Sequence, residues 1–271
     1  MDFNMSRPGN EDEGLVHRHS QKQLMQKPPF SRWKAATIHL GISIAIAIGA
    51  VLLLYLLWYP QPFFEASGGQ FLLTLLVAVD VVLGPLITLI IFDTKKKSLR
   101  FDLAVIAIVQ LAAIGYGMYT MYLARPVFVV YSNSQFKVVT ANEIEPEMLA
   151  QVTRVEHKSL SFTGPKYVFN NPPESGTDLD AVMLSGEGLA PQVYVPFSEK
   201  SADAAKQGQP LTELFKRQPD AQSIIDVALK RNQKNATDVV YFPLIAKAMN
   251  MTLLADTRTG AIVAVVPVNP L

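Results

Sequence analysis

The chain has 271 residues, no cysteine and a formal net charge of +1, and 49% of its side chains are hydrophobic. Balanced charge gives no global field for nucleic acid or an acidic substrate, and the missing thiols exclude disulfides, thiolate metal sites and cysteine nucleophiles. The apolar excess lies before Arg125, so the sequence divides into a membrane unit and a domain of ordinary soluble composition.

Residues 1–30 are polar, lack apolar periodicity and end near Lys27-Pro28-Pro29, which predicts a disordered tail. His17-Arg18-His19 within it reads as solvated charge ahead of a weak metal or lipid contact, and Met5 and Met25 are alternative translation starts. Three apolar stretches follow, 37–59, 71–92 and 103–123. A helix rising about 1.5 Å per residue crosses a hydrocarbon core about 30 Å thick with about 20 such residues, so each is a candidate span. The first is too long for a signal-peptide core, and Trp58-Tyr59-Pro60 is no small-residue cleavage site.

Arg32 and Lys34 precede the first stretch, the 60–70 connector has no Lys or Arg, and the 93–102 connector carries Lys95, Lys96, Lys97 and Arg100. Positively charged flanks stay in the cytoplasm. The expectation is a three-helix transmembrane bundle over 31–125 with a cytoplasmic N-terminus and residues 126–271 outside the cytoplasm, which in a bacterial inner-membrane setting is the periplasm. Trp33 at one end and Tyr55, Trp58 and Tyr59 at the other read as interfacial anchors.

In span one, Gly41, Ala45 and Gly49 form a small-residue stripe that lets another helix approach, either a neighbouring span or a partner's helix. Span two carries Asp80 near its middle, where an unpaired carboxylate costs about 2.5–3.5 kcal/mol on insertion scales. Asp80 shares a face with Gly84 and Thr88, and Pro85 is expected to kink the helix beside them. Matching depths by rise makes Tyr116 of span three the first-choice partner of Asp80 and Gln110 the second, while His39 lies too near the inner surface.

The C-terminal part is predicted to be α+β with an antiparallel sheet. Pro126–Tyr131 and Phe136–Thr140 read as a hairpin, Asn142–Val152 as a helix capped by Asn142, and Thr163–Gly176 as a proline-containing loop. Helices are expected over Asp178–Ser185, Ser198–Lys206 and Pro219–Asn232, then strands over Val239–Leu244, Met251–Ala255 and Ala261–Val266. The last two strands join through Asp256–Gly260, where glycine suits a positive φ.

Nothing in the pattern points to catalysis. His157 is the only histidine of this part, no nucleophile elbow surrounds a serine, and no Gly-Lys-Ser/Thr closes a phosphate loop. No catalytic residue, cofactor or metal site is expected.

Trp58-Tyr59-Pro60, Asp80-Val81-Val82-Leu83-Gly84-Pro85-Leu86, Phe101-Asp102-Leu103-Ala104, Arg125-Pro126-Val127-Phe128 and Tyr241-Phe242-Pro243-Leu244 occur in this order. With the terminal hairpin they make residues 31–271 resemble the TfpX/TfpZ-type type IV pilin accessory proteins. The resemblance implies an inner-membrane protein that assists assembly, stability or extension and retraction of type IV pili, with the pilin and assembly components as partners and no accepted catalytic mechanism. An enzyme modifying pilin and a membrane sensor of pilus state are the alternatives. Oligomeric state stays open.

Overall fold

The computed structural model describes residues 31–172 and 190–271. The expected tail 1–30 and the expected helix Asp178–Ser185 lie outside the described residues. Among the described residues three helices are long and apolar enough to cross a membrane: α1 (Arg32–Trp58), α2 (Gly69–Ile91) and α3 (Leu99–Leu123). α1 and α3 begin earlier than the apolar windows because their polar first turns are helical too. α1 packs along α2 through Ala36, Ser43, Ala47 and Ala50, whose small side chains let the backbones approach. His39 Nδ1 hydrogen-bonds Thr88 Oγ1 at 2.6 Å across this seam. Ahead of Pro85, α2 widens into a π-helical segment, Ala78–Leu83, which absorbs the donor that proline lacks.

The C-terminal domain is built on a mixed sheet of β1 (Pro126–Ser132), β2 (Gln135–Thr140), β3 (Lys166–Asn170), β4 (Tyr194–Pro196), β5 (Gln209–Pro210), β6 (Val239–Ile245), β7 (Met251–Asp256) and β8 (Ile262–Val266). Their order is β4-β3-β1-β2-β6-β7-β8, with β5 added beside β6. The expectation of an antiparallel sheet is corrected at two places: β3 runs parallel to β1 and β6 parallel to β2. Lys166–Asn170, expected in a loop because of Pro165 and Pro172, is therefore an internal strand; the prolines bound it without interrupting it.

The β1–β2 hairpin closes through Asn133 and Ser134, both at positive φ (50° and 61°), as a two-residue turn of matching twist requires. The helix expected over Asn142–Val152 shrinks to α4 (Pro146–Ala150), because Pro146 lacks a donor and keeps Glu145 extended. Asn142, the expected cap, lies instead in a separate 3-10 turn, Ala141–Glu143, which Thr140 caps, its backbone and hydroxyl both donating to Glu143 Oε2 at 2.7 Å; Glu145 stands at the start of α4. The two later helices fall where expected, as α5 (Phe197–Ala205) and α7 (Ala221–Arg231), and α6 (Leu211–Arg217) lies between them.

Both sheet faces are covered, so the central strands read as continuous apolar runs instead of alternating. Val129, Tyr131, Phe242 and Leu253 bury one face under α5, and Tyr241, Leu254 and Val266 bury the other under α6 and α7. The first face holds a further occupant: Phe63 and Ala66, from the connector between α1 and α2, sit in its core. The Ala248 amide donates to the Ala66 carbonyl at 2.9 Å, and the Tyr59 hydroxyl donates to the Met121 carbonyl at 2.7 Å. Trp58 and Tyr59 are accordingly buried in this joint and are not lipid-facing anchors.

Candidate functional site

Asp80 stands within the widened turn of α2 and is 3% exposed. Its Oδ1 accepts from Gln110 Nε2 at 3.0 Å, while Oδ2 has no hydrogen-bond partner among the described residues. Tyr116, the first-choice partner, is 75% exposed and borders the same cavity without bonding the carboxyl group. Depth counting ignores rotation: six residues of helix place Tyr116 about 120° around α3 from Gln110. Gly84 makes the pairing sterically feasible, since a Cβ there would lie 2.0 Å from Gln110 Nε2.

α3 touches its neighbours sparingly. Gln110 and Met121 are its buried residues, and only 6% of its most apolar window is covered. Between those two points α2 and α3 border a cavity of about 400 Å³, whose apolar lining is broken by Asp80 and Gln110. A second cavity of about 470 Å³ continues toward the sheet domain, sharing Leu72, Tyr116 and Thr120 with the first and reaching Asn142 and Lys247.

The stripe, expected to pack on a neighbouring span or on a partner's helix, packs on no neighbouring span among the described residues. Gly41, Ala45 and Gly49 are exposed, and a Cβ on either glycine would meet nothing within 4 Å. Ser43, Ala47 and Ala50 occupy the packed face of the same helix. Arg32, Lys34, Lys95, Lys96, Lys97 and Arg100 are all exposed at the end of the bundle away from the sheet, with Lys96 paired to Asp102. At the opposite end Arg125 is enclosed: Nη1 donates to the Tyr122 carbonyl at 2.7 Å, Nε to the Ser161 carbonyl at 3.0 Å, and the guanidinium stacks 3.8 Å from the Tyr122 ring centroid. The sequence showed Arg125 but gave no sign of these partners.

His157 is 2% exposed, edge-on to Phe128, and its Nδ1 has no hydrogen-bond partner among the described residues. Burial lowers its pKa from the ordinary value, outweighing the attraction of Glu156 and a hydrogen bond with the Tyr194 backbone, while Lys166 and Arg154 lower it further. The folded domain thus disfavours a proton that the unfolded chain accepts as pH falls through about 6.5, so stability is full above that pH and declines below it. The carboxylates of Glu156, Asp203 and Asp256 are held below their ordinary range and act only at lower pH. The thermal midpoint of the detergent-purified chain should therefore fall between pH 7.5 and 5.5, and His157→Phe should flatten that fall; equal losses in both proteins would remove His157 as its source. Among the described residues no group of three or more His, Cys, Asp or Glu could hold a metal ion.

A bundle of three apolar helices locked to a mixed-sheet domain, with its unusual polar pair inside the bundle, defines a helix-anchored protein whose distinctive surfaces lie along α2 and α3. The family model described as fimbrial assembly protein FimB matches residues 29–68, the segment that forms α1 and most of the connector seated in the sheet domain. Among curated relatives in Dichelobacter nodosus, the fimbrial assembly protein of serogroups C1 and C2 is 35% identical over 120 residues, covering 44% of this chain and 92% of the relative. Those of serogroups E1 and I are 27% and 28% identical over 242 residues, covering 86% of this chain and 93% of each relative. The chain belongs to the fimbrial assembly protein family. No solved structure matches it.

Proposed function

We propose that this protein is a non-catalytic inner-membrane accessory factor of type IV fimbriae, of the TfpX/TfpZ type, that contacts the fimbrial subunit or the assembly machinery. The relatives' names support a role in fimbrial assembly. The observation that carries the finer reading is the joint. Because Phe63 and Ala66 are embedded in the sheet core, helices and domain form one body. Such a body offers a membrane surface and an aqueous surface in fixed register, which suits a subunit stored by one apolar helix beneath a globular head.

The inner-membrane orientation rests on Arg32, Lys34, Lys95, Lys96, Lys97 and Arg100 at one end of the bundle. It predicts that protease added to spheroplasts digests the sheet domain; full protection of that domain would reverse the topology. Deleting the gene should reduce surface fimbriae while the subunit keeps its mass. A changed subunit mass would instead favour an enzyme that modifies pilin.

A further inference from the structure

We propose that the groove between α2 and α3 seats a single apolar transmembrane helix of the fimbrial subunit, and that a hydrogen-bond donor midway along that helix reaches Asp80 Oδ2. This rests on the reading that the subunit is the partner and names where it binds. Asp80 lies halfway along α2, has one oxygen satisfied by Gln110 and, among the described residues, lacks a donor for the other. Leaving a buried acceptor unmatched in an apolar layer is costly, and a lipid chain brings no donor. A helix with a polar side chain at that level does.

The shape agrees. Gln110, Ala113, Gly117 and Thr120 lie at spacings of three and four along α3, so one helical face supplies a small and polar floor. Leu72, Leu75, Leu76 and Val79 of α2 supply an apolar wall. α3 is buried at Gln110 and Met121, at either end of this stretch, and Gly117 between them lies against Leu76, so the lining residues follow one face of α3 over about three turns. The groove's continuation toward Asn142 and Lys247 leads an occupant out against the sheet domain. The exposed stripe of Gly41, Ala45 and Gly49 has no comparable polar group.

Because the chain has no cysteine, single-cysteine variants report one position each. Ala113→Cys marks the groove, Ala45→Cys the stripe and Ile108→Cys an outward face of α3. Each full-length variant is labelled in native membranes with a photoactivatable thiol reagent, and adducts are identified by mass. The expected result is a subunit adduct from Ala113→Cys, with little from the other two. Asp80→Leu added to Ala113→Cys should lower that yield about tenfold, equivalent to about 1.4 kcal/mol, at an unchanged membrane level.

A subunit adduct from Ala45→Cys alone would overturn the groove and keep the subunit as partner. No subunit adduct from any position would overturn both. A phospholipid adduct or a second copy of this chain at Ala113→Cys would replace the proposed occupant, and an unchanged yield with Asp80→Leu would remove the carboxyl group from the contact. Should Asp80→Leu fail to accumulate, Leu75→Trp, which fills the groove from an exposed position, should abolish the adduct; persistence would refute the site.

Discussion

Gly260→Ala is expected to lower the thermal midpoint of the purified chain by roughly 5–15 °C. Gly260 closes the β7–β8 turn at φ +69°, and a Cβ there would stand 1.8 Å from the Ser201 carbonyl oxygen of α5. The left-handed backbone alone costs a residue with a side chain about 1–2 kcal/mol. Pushing α5 away adds about 1–3 kcal/mol, because it disturbs the packing of Phe197 and Ala204 on the sheet. The turn cannot yield instead: Asp256 Oδ1 accepts from the Arg258 and Thr259 amides at 3.0 and 2.9 Å, and its Oδ2 from Lys234 Nζ at 2.7 Å. Gly49→Ala is the matched control, since its Cβ would enter open space. A midpoint for Gly260→Ala within 2 °C of wild type, or about that of the control, would contradict this account.

Gly84→Ala should reduce both the amount of protein in the membrane and the number of surface fimbriae. Its Cβ would occupy the place of Gln110 Nε2, so the amide must withdraw and leave Asp80 with both oxygens unmatched. Orphaning a buried partner costs about 1–3 kcal/mol, more for a charged one. Adding Asp80→Leu removes the orphan, so the double variant should recover in membrane level while fimbriation stays impaired. Immunoblots of membrane fractions and counts of surface fimbriae read the two effects separately. Normal levels and normal fimbriation in Gly84→Ala would show that the pair is dispensable.

The helices were legible because an apolar run of bilayer length has few other uses, and the β1–β2 and β7–β8 hairpins because Asn133-Ser134 and Asp256–Gly260 are local turn signals. The parallel pairings of β1 with β3 and β2 with β6 join distant segments, and no local pattern announces them. Rotation was the other blind quantity. Gly41, Ala45 and Gly49 repeat with the spacing that helix packing favours, yet Ser43, Ala47 and Ala50 offer α1 a second small face, and only the neighbouring helix decides between them. The same ambiguity favoured Tyr116 over Gln110. Asp80 stood out by its rarity, whereas the demand on Gly84 becomes visible only when α3 is set against α2.

Seating Phe63 and Ala66 beneath β6 and β7 ties the opening third of the polypeptide to its final residues. Their socket has no complete wall until Met251–Asp256 has been synthesised, so the connector waits, apolar and uncovered, through most of translation. A product truncated ahead of β6 would keep that uncovered surface and be open to degradation by quality-control proteases. Only full-length copies would then accumulate, and incomplete ones would not compete for an assembly site they could not serve.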